Sequence, residues 1–259
     1  MHVVQDDPDL RYLQRTPAGA EYVRQITAQA PDRCTRAAFQ DLALAIARPG
    51  ARLFDFGAGP GLDARFFAER GFTVDAYDAD PRMREFFADH CRDLIDSGRV
   101  TLEGGGYRDF LTHAASPQGR RADLVVSNFA PLNLVDDLHE LFGRFAALTG
   151  PDGKVLASVL NPCLVEEMRC RWWWRGAAQL WRDGQRFMPG PQAPHYRRLL
   201  RHFRTASVPH FRLSRLFRGA PSSRPGLGGV DLQGAGRFAW LHVARSRYLF
   251  LLFEKIHRP

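Results

Sequence analysis

The sequence predicts an α/β fold: a doubly wound, mostly parallel seven-stranded sheet with helices on both faces, a helical amino-terminal segment and an inserted lid. Three observations lead there. Short β-type runs alternate with amphipathic helical stretches from residue 51 onward, the pattern of parallel strands joined by crossover helices. The first of these runs ends in a cluster of glycines, which is the usual join between a strand and a crossover helix. A chain of 259 residues with 45% apolar content can bury one substantial core, so a single domain is expected.

Taken in order, residues 1–50 read as a helical cap, with Phe39, Leu42, Ala43 and Ile46 marking the buried face of its last helix. Residues 51–160 form the core, with strands near 51–56, 72–77, 99–103, 123–127 and 154–160. Asp80-Pro81 reads as a helix cap with proline in the first turn, followed by Met83, Phe86, Phe87, Cys91 and Leu94 at helical spacing. Val135, Leu138, Leu141, Phe142, Phe145 and Leu148 mark a second helix, closed by a turn at Gly150-Pro151-Asp152-Gly153. Residues 161–204 break the alternation with arginine, tryptophan and proline, as an inserted lid would. Residues 205–259 supply the last strands, near 206–212 and 246–253.

Bulk composition excludes several classes. The longest apolar run near either end, Tyr248 to Phe253, suits a buried strand and falls short of the ~20 residues a spanning helix needs. The opening residues carry charges where a secretory signal would be apolar, so a cytoplasmic protein is expected. Cys34, Cys91, Cys163 and Cys170 show no paired spacing, which predicts free thiols, no disulfide framework and no metal site. The net charge of +8 is almost wholly arginine, since Lys154 and Lys255 are the lysines. An arginine excess attracts acidic substrates, an acidic carrier protein, nucleic acid or a membrane surface without choosing among them.

The glycine cluster is more selective. Leu53-Phe54-Asp55-Phe56 is a strand running into Gly57-Ala58-Gly59-Pro60-Gly61, and a helix begins at Leu62 with Phe66 and Phe67 inward. Ligands of open α/β sheets sit outside the carboxyl ends of the strands, where glycines let backbone approach them. A dinucleotide fingerprint would need its third glycine at position 62, which is Leu62; here it is Gly61. Asp55 adds a carboxylate that would repel a pyrophosphate but attract an α-amino group or a sulfonium. Asp78, at the end of the second strand, stands near the spacing at which an acidic side chain meets ribose hydroxyls. Strand alternation and the Asp80-Pro81 cap favour it over Asp75. Together these point to S-adenosylmethionine (SAM) rather than NAD.

These motifs resemble those of the class I, seven-stranded SAM-dependent methyltransferases. The first motif, an acid followed by G-x-G-x-G, is matched by Asp55, Gly57, Gly59 and Gly61; the second is Asp78-Ala79-Asp80-Pro81-Arg82-Met83. The fourth-strand motif is Asp123 through Asn128-Phe129, leading into Leu132-Asn133, and Pro151-Asp152-Gly153 stands for the turn before strand five. The resemblance implies cofactor contacts from Asp55, Gly57, Ala58, Gly59, Gly61, Asp78, Ala79, Asn128 and Phe129. Ala20-Glu21-Tyr22 resembles an amino-terminal segment whose tyrosine reaches the methionine end of the cofactor. Asp109 is the candidate for the adenine contact, although Glu103-Gly-Gly-Gly departs from the family pattern there.

A sulfonium methyl is already activated, so the protein must chiefly align the acceptor and exclude water. The expected reaction is O-methylation of an aromatic or acidic metabolite, free or tethered to a carrier. His195 and Tyr196 are the candidates for proton transfer, among His139, His202 and His210. Asn133, Trp172 and Trp173 are assigned to the acceptor side. Adjacent Trp172-Trp173-Trp174 on a helix cannot share one face, which leaves at least one for a pocket, a homodimer contact or a membrane interface. Ser127-Asn-Phe-Ala lacks the N-P-P-aromatic or D-P-P-aromatic signature of nucleobase methylation, so nucleic acid is disfavoured. Competing readings are a non-catalytic accessory protein with this fold, an RNA methyltransferase and an NAD-dependent oxidoreductase.

Overall fold

Strands buried on both faces set this architecture. The computed structural model describes residues 18–112, 121–187, 195–219 and 246–257, without the side chains of 185–187. The cap before residue 18 and the remaining parts of the long connection lie outside the described residues. β1 (Arg52–Phe56), β2 (Thr73–Tyr77), β3 (Val100–Glu103), β4 (Ala122–Ser127) and β5 (Thr149–Leu160) are parallel neighbours; β8 (Phe211–Arg218) and β9 (Tyr248–Lys255) complete a seven-stranded sheet in the order β3-β2-β1-β4-β5-β9-β8, with β9 antiparallel to both its neighbours. Successive strand residues point to opposite faces. Phe54, Phe56, Val125, Val155 and Ala157 therefore enter one core, while Leu53, Leu124, Val126 and Leu156 enter the other.

Each core is closed by helices whose apolar stripes match it. α1 (Gly19–Ala28) and α2 (Ala30–Ile46) precede the sheet; α2 and α3 (Leu62–Glu69) bring Phe39, Leu42, Ala43, Ala64 and Phe67 onto the second face. α4 (Pro81–His90) joins them through Phe87, and its amino end is capped by Asp80, whose side chain accepts from Arg82 N. α5 (Arg92–Asp96) and α6 (Tyr107–Thr112) flank β3. On the first face α7 (Leu138–Leu148) buries Leu138, Leu141, Phe142, Phe145 and Leu148, the predicted stripe. The predicted turn at Gly150–Gly153 lies inside β5, as extra residues in the β4–β5 ladder between Ala122↔Thr149 and Leu124↔Lys154.

Among the described residues, the segment after β5, expected as a lid, holds three short helices, α8 (Val165–Met168), α9 (Arg171–Arg175) and α10 (Ala177–Arg182), then a hairpin of β6 (Gln185–Phe187) and β7 (His195–Arg197). The strand expected near 206–212 is a correction. Residues 200–207 are helix α11 (Leu200–Ser207), and the strand begins only at Phe211. Phe203 and Ser207 lie one helical turn apart on the buried face, a period of four that overrides the apparent β-pattern. Pro209 follows the helix and separates it from β8. His210 consequently lies in the connecting turn and not in the strand.

Candidate active site

The glycine turn is held by neighbours that leave no room for side chains. Gly57 and Ala58 donate backbone hydrogen bonds to Tyr77 O at the end of β2, at 2.8 and 3.0 Å. Gly57 adopts φ +72°, and a Cβ there would stand 2.4 Å from the Pro131 ring. Gly61, at φ +82°, leads into α3, and a Cβ there would meet Cys91 Sγ and Phe87 at 2.8 Å. Both positions require glycine on two counts: a left-handed backbone and a contact too close for any methyl. The turn is thus wedged between the strand-four loop and α4.

Asp78 ties this turn to the next one. Its carboxylate accepts from Gly59 N at 2.7 Å and from Asp80 N at 2.8 Å. Burial, opposed by those two hydrogen bonds, pushes its pKa up to about 6. The predicted competitor Asp75 is instead clasped by Arg52, whose Nε and Nη2 lie 2.5 and 2.7 Å from its two oxygens. Ala79 packs against the first core, and Arg84 Nη1 bonds Asp78 O, Ala79 O and Gly105 O, joining the β2 and β3 loops. Asp109 is exposed and accepts from Gly106 N at 2.8 Å, so its carboxylate orders the loop that enters α6.

Strand alternation sends Asp55 to the face covered by α2 and α3, and there it is only 2% exposed. Its Oδ2 has no hydrogen-bond partner. Burial first, and then the carboxylate of Asp63, raise its pKa well above the ordinary value, while Arg36 opposes them. A buried carboxylate oxygen without a donor is costly, and a cationic or N–H-bearing group would relieve that cost.

Asp63 is the centre of a network not foreseen from sequence. It pairs with Arg36, accepts from Gln40 Nε2 at 2.6 Å and accepts from Asn128 Nδ2 at 3.1 Å. The signal was present, since Arg36 and Gln40 are four apart on α2 and so share a face. The network fixes Asn128, whose Oδ1 accepts from Phe129 N. Phe129 and Ala130 follow in the left-handed region at φ +61° and +67°, a strained conformation for residues with a Cβ. Ser158 Oγ accepts from Phe129 N at 3.0 Å, while Arg36 lies 4.7 Å above the Phe129 ring and Tyr248 packs on its edge. Tyr22 approaches the same place: its ring lies 4.0 Å from the Cβ position of Gly59, and burial pushes its pKa up to about 12. The structure therefore gathers Tyr22, Asp55, Gly57, Ala58, Gly59, Gly61, Asp78, Asn128 and Phe129 at one end of the sheet.

The acceptor-side residues take mixed positions. Asn133 is fully buried; its Nδ2 donates to Tyr196 O at 2.6 Å and its Oδ1 accepts from Leu160 N at 3.0 Å. Its amide joins the strand-four loop to β5 and β7 and has no surface to offer a substrate, which corrects the expected direct contact. Trp173 is buried with Nε1 donating to Pro162 O, and Arg197 donates to the same carbonyl while lying 4.8 Å over Trp172. His195 and Tyr196 are half-buried on β7, and Arg198 lies 4.3 Å over the Tyr196 ring. His139 and His202 line an open cleft of about 490 Å³ together with Asp136, Asp137, Asp183 and Arg198. None of the glycine-turn residues lines that cleft. Among the described residues, no three His, Cys, Asp or Glu side chains converge as a metal site, and no helix is long and apolar enough to cross a membrane.

Comparison with known families decides what this site belongs to. The model of a family described as methyltransferase domain matches residues 22–207, from Tyr22 of the cap through the glycine turn and lid to the end of α11. The chain belongs to that family. It is a SAM-dependent methyltransferase, as the order of its motifs predicts. Solved structures agree on the fold. A Burkholderia thailandensis 1,6-didemethyltoxoflavin-N1-methyltransferase, with that compound and S-adenosylhomocysteine bound, is 17% identical with a TM-score of 0.59 over 99% of this chain and 93% of its own. A geranyl diphosphate C-methyltransferase from Streptomyces coelicolor, with Mg2+, geranyl diphosphate and S-adenosylhomocysteine, is 16% identical with a TM-score of 0.57 over 93% of this chain and 88% of its own. A methyltransferase bound to the Trm112 activator of Haloferax volcanii is 16% identical with a TM-score of 0.55 over 88% of this chain and 94% of its own. A sequence search of curated proteins returns no match.

Proposed function

We propose that this methyltransferase acts on a small aromatic or acidic metabolite, free or carried on an acidic protein, and that the methyl is placed on oxygen. The observation that carries the cofactor half of the site is Asp55 Oδ2, buried without a donor beside the glycine turn. The α-amino group of SAM would supply that donor and a compensating positive charge. Asp78 would accept from the ribose hydroxyls while holding the turn through Gly59 N, Ala79 would give the adenine a small neighbour, and Asp109 is assigned to its amino edge. Bound SAM would supply an activated sulfonium methyl.

The chain's own part is then positioning. Tyr22, Arg36, Phe129 and Tyr248 form a clustered wall, in which the strained Phe129 backbone is held at its N–H, which donates to both Asn128 Oδ1 and Ser158 Oγ. An aromatic wall carrying a guanidinium supports a flat acceptor with an acidic group. Trp172 and Trp173 contribute to the lid on that side, with Asn133 positioning β7. His195, with Tyr196 beside it, takes the proton from an acceptor hydroxyl in this reading. Relatives of this fold methylate nitrogen and carbon, so the acceptor atom must be tested directly. Incubation with methyl-labelled SAM and panels of phenols, carboxylic acids and amines should yield labelled ethers or esters. Label only on nitrogen or carbon would refute O-transfer, and label only in added RNA would favour the RNA-methyltransferase alternative.

A further inference from the structure

We propose that the outward face of the lid helices is a docking surface for an anionic phospholipid bilayer. α9 and α10 meet at Gly176, which keeps a right-handed backbone and caps both: Gly176 N→Trp172 O closes the first and Leu180 N→Gly176 O opens the second. Residues 171–182 are therefore two short consecutive helices joined at Gly176. Trp173, Gly176 and Leu180 face the protein. Arg171, Trp174, Arg175, Ala178, Trp181 and Arg182 are all exposed, so they lie on the outward surface of the two helices and form a stripe opposite the buried residues.

The stripe is the inverse of an ordinary solvated face. Trp174 and Trp181 are 62% and 68% exposed, with no acidic residue among the six. Trp174 Nε1 already donates to Met168 O at 2.8 Å, so its ring is not held outward by a need for water. Arg201 from α11 adds a further cation, 5.0 Å over the Trp181 ring. The nearest acids are peripheral: Asp183 lies beyond the helix, 3.7 Å from Arg182, and Glu166 is on α8. Indoles flanked by guanidinium groups on one outward surface match the headgroup level of a bilayer, where rings sit at the acyl boundary and arginines meet phosphates. Two outward indoles flanked by arginines, with no acid among them, match both the acyl boundary and the phosphate layer, which selects the bilayer; an acidic protein, whose interface would also favour tryptophan and arginine, is the partner the test must separate from it.

The test is flotation of the full chain with vesicles of phosphatidylcholine alone and with about one third phosphatidylglycerol. Wild type should float with the anionic vesicles at low salt and stay behind with the neutral ones. Trp174→Ala with Trp181→Ala should lower the partition coefficient at least about tenfold, and Arg171→Glu with Arg175→Glu and Arg182→Glu should reduce it to background. Thermal unfolding of the arginine variant should match wild type, and the tryptophan variant should stay folded with a slightly lower midpoint, since Trp174 gives up its bond to Met168 O. Absence of flotation, equal flotation with neutral vesicles, or undiminished flotation of either variant would overturn the proposal. Binding to an acidic carrier protein without binding to vesicles would overturn it in favour of a protein partner.

Discussion

Replacing Asp55 with asparagine separates the cost of this site from its use. In the free protein the carboxylate is almost fully buried and one oxygen lacks a donor. An unsatisfied buried polar group costs about 1–3 kcal/mol, more when charged. Asparagine keeps the shape and removes the charge, although its amide still wants a partner, so a gain of about 2 kcal/mol is expected near neutral pH. For a domain of this size that is a rise in Tm of roughly 4–8 °C. The gain is pH-dependent. With its folded pKa raised, Asp55 holds its proton more tightly in the native state than in the unfolded chain, so wild-type stability falls as pH rises through the folded pKa. Asparagine does not titrate, and the advantage of the variant should be small in acid and grow over that range. The same change removes a charge-assisted contact worth about 1.5–3 kcal/mol, so Kd for SAM should rise roughly 10- to 100-fold. Thermal denaturation across pH, paired with calorimetric titration of SAM, measures both. A variant no more stable than wild type, or one that binds SAM unchanged, refutes the assignment of Asp55 to a cationic ligand.

Asp78→Ala should weaken SAM at least about 100-fold and also lower stability by about 2 kcal/mol, because Gly59 N and Asp80 N each lose an acceptor; urea unfolding and calorimetry check the two effects separately. In wild type, S-adenosylhomocysteine affinity should decline as pH falls through about 6, where the Asp78 carboxylate takes up its proton; a flat profile from pH 5 to about 8 would show another group to be the ribose acceptor. Gly57→Ala should cost far more stability than Gly59→Ala, since its Cβ would lie 2.4 Å from Pro131 whereas that of Gly59 has only Tyr22 at 4.0 Å; equal urea midpoints would contradict the wedged turn. Arg36→Ala should destabilise by about 3 kcal/mol, because it leaves the buried Asp63 without its cation, and should lower kcat through Asn128 and Phe129; unchanged melting and turnover would show that the network is not what fixes that loop.

The sequence by itself determined the sheet, the helix faces and the cofactor. Those features are local or periodic: alternation fixes which side of a strand is buried, and the glycines at 57, 59 and 61 report a turn that no larger residue could make. The positions of Asp55 and Asp78, though not their roles, could be read for the same reason, since each stands near the carboxyl end of a strand whose neighbours define its direction. The tertiary structure decided what crosses between elements. Asp63 draws Arg36, Gln40 and Asn128 from three distant segments, and one-dimensional spacing shows at most the pairing of Arg36 with Gln40. Asn133 has the residue type and place of a substrate contact, but packing commits its amide to Tyr196 O and Leu160 N. The strand expected near 206–212 begins only at Phe211, because residues 206 and 207 belong to the helix whose Phe203 and Ser207 face the core, a preference set by tertiary burial rather than by propensity. The three tryptophans show the division in one place. Helical geometry required them to diverge, and only the packed lid decided that Trp173 turns inward while Trp174 is held out to solvent.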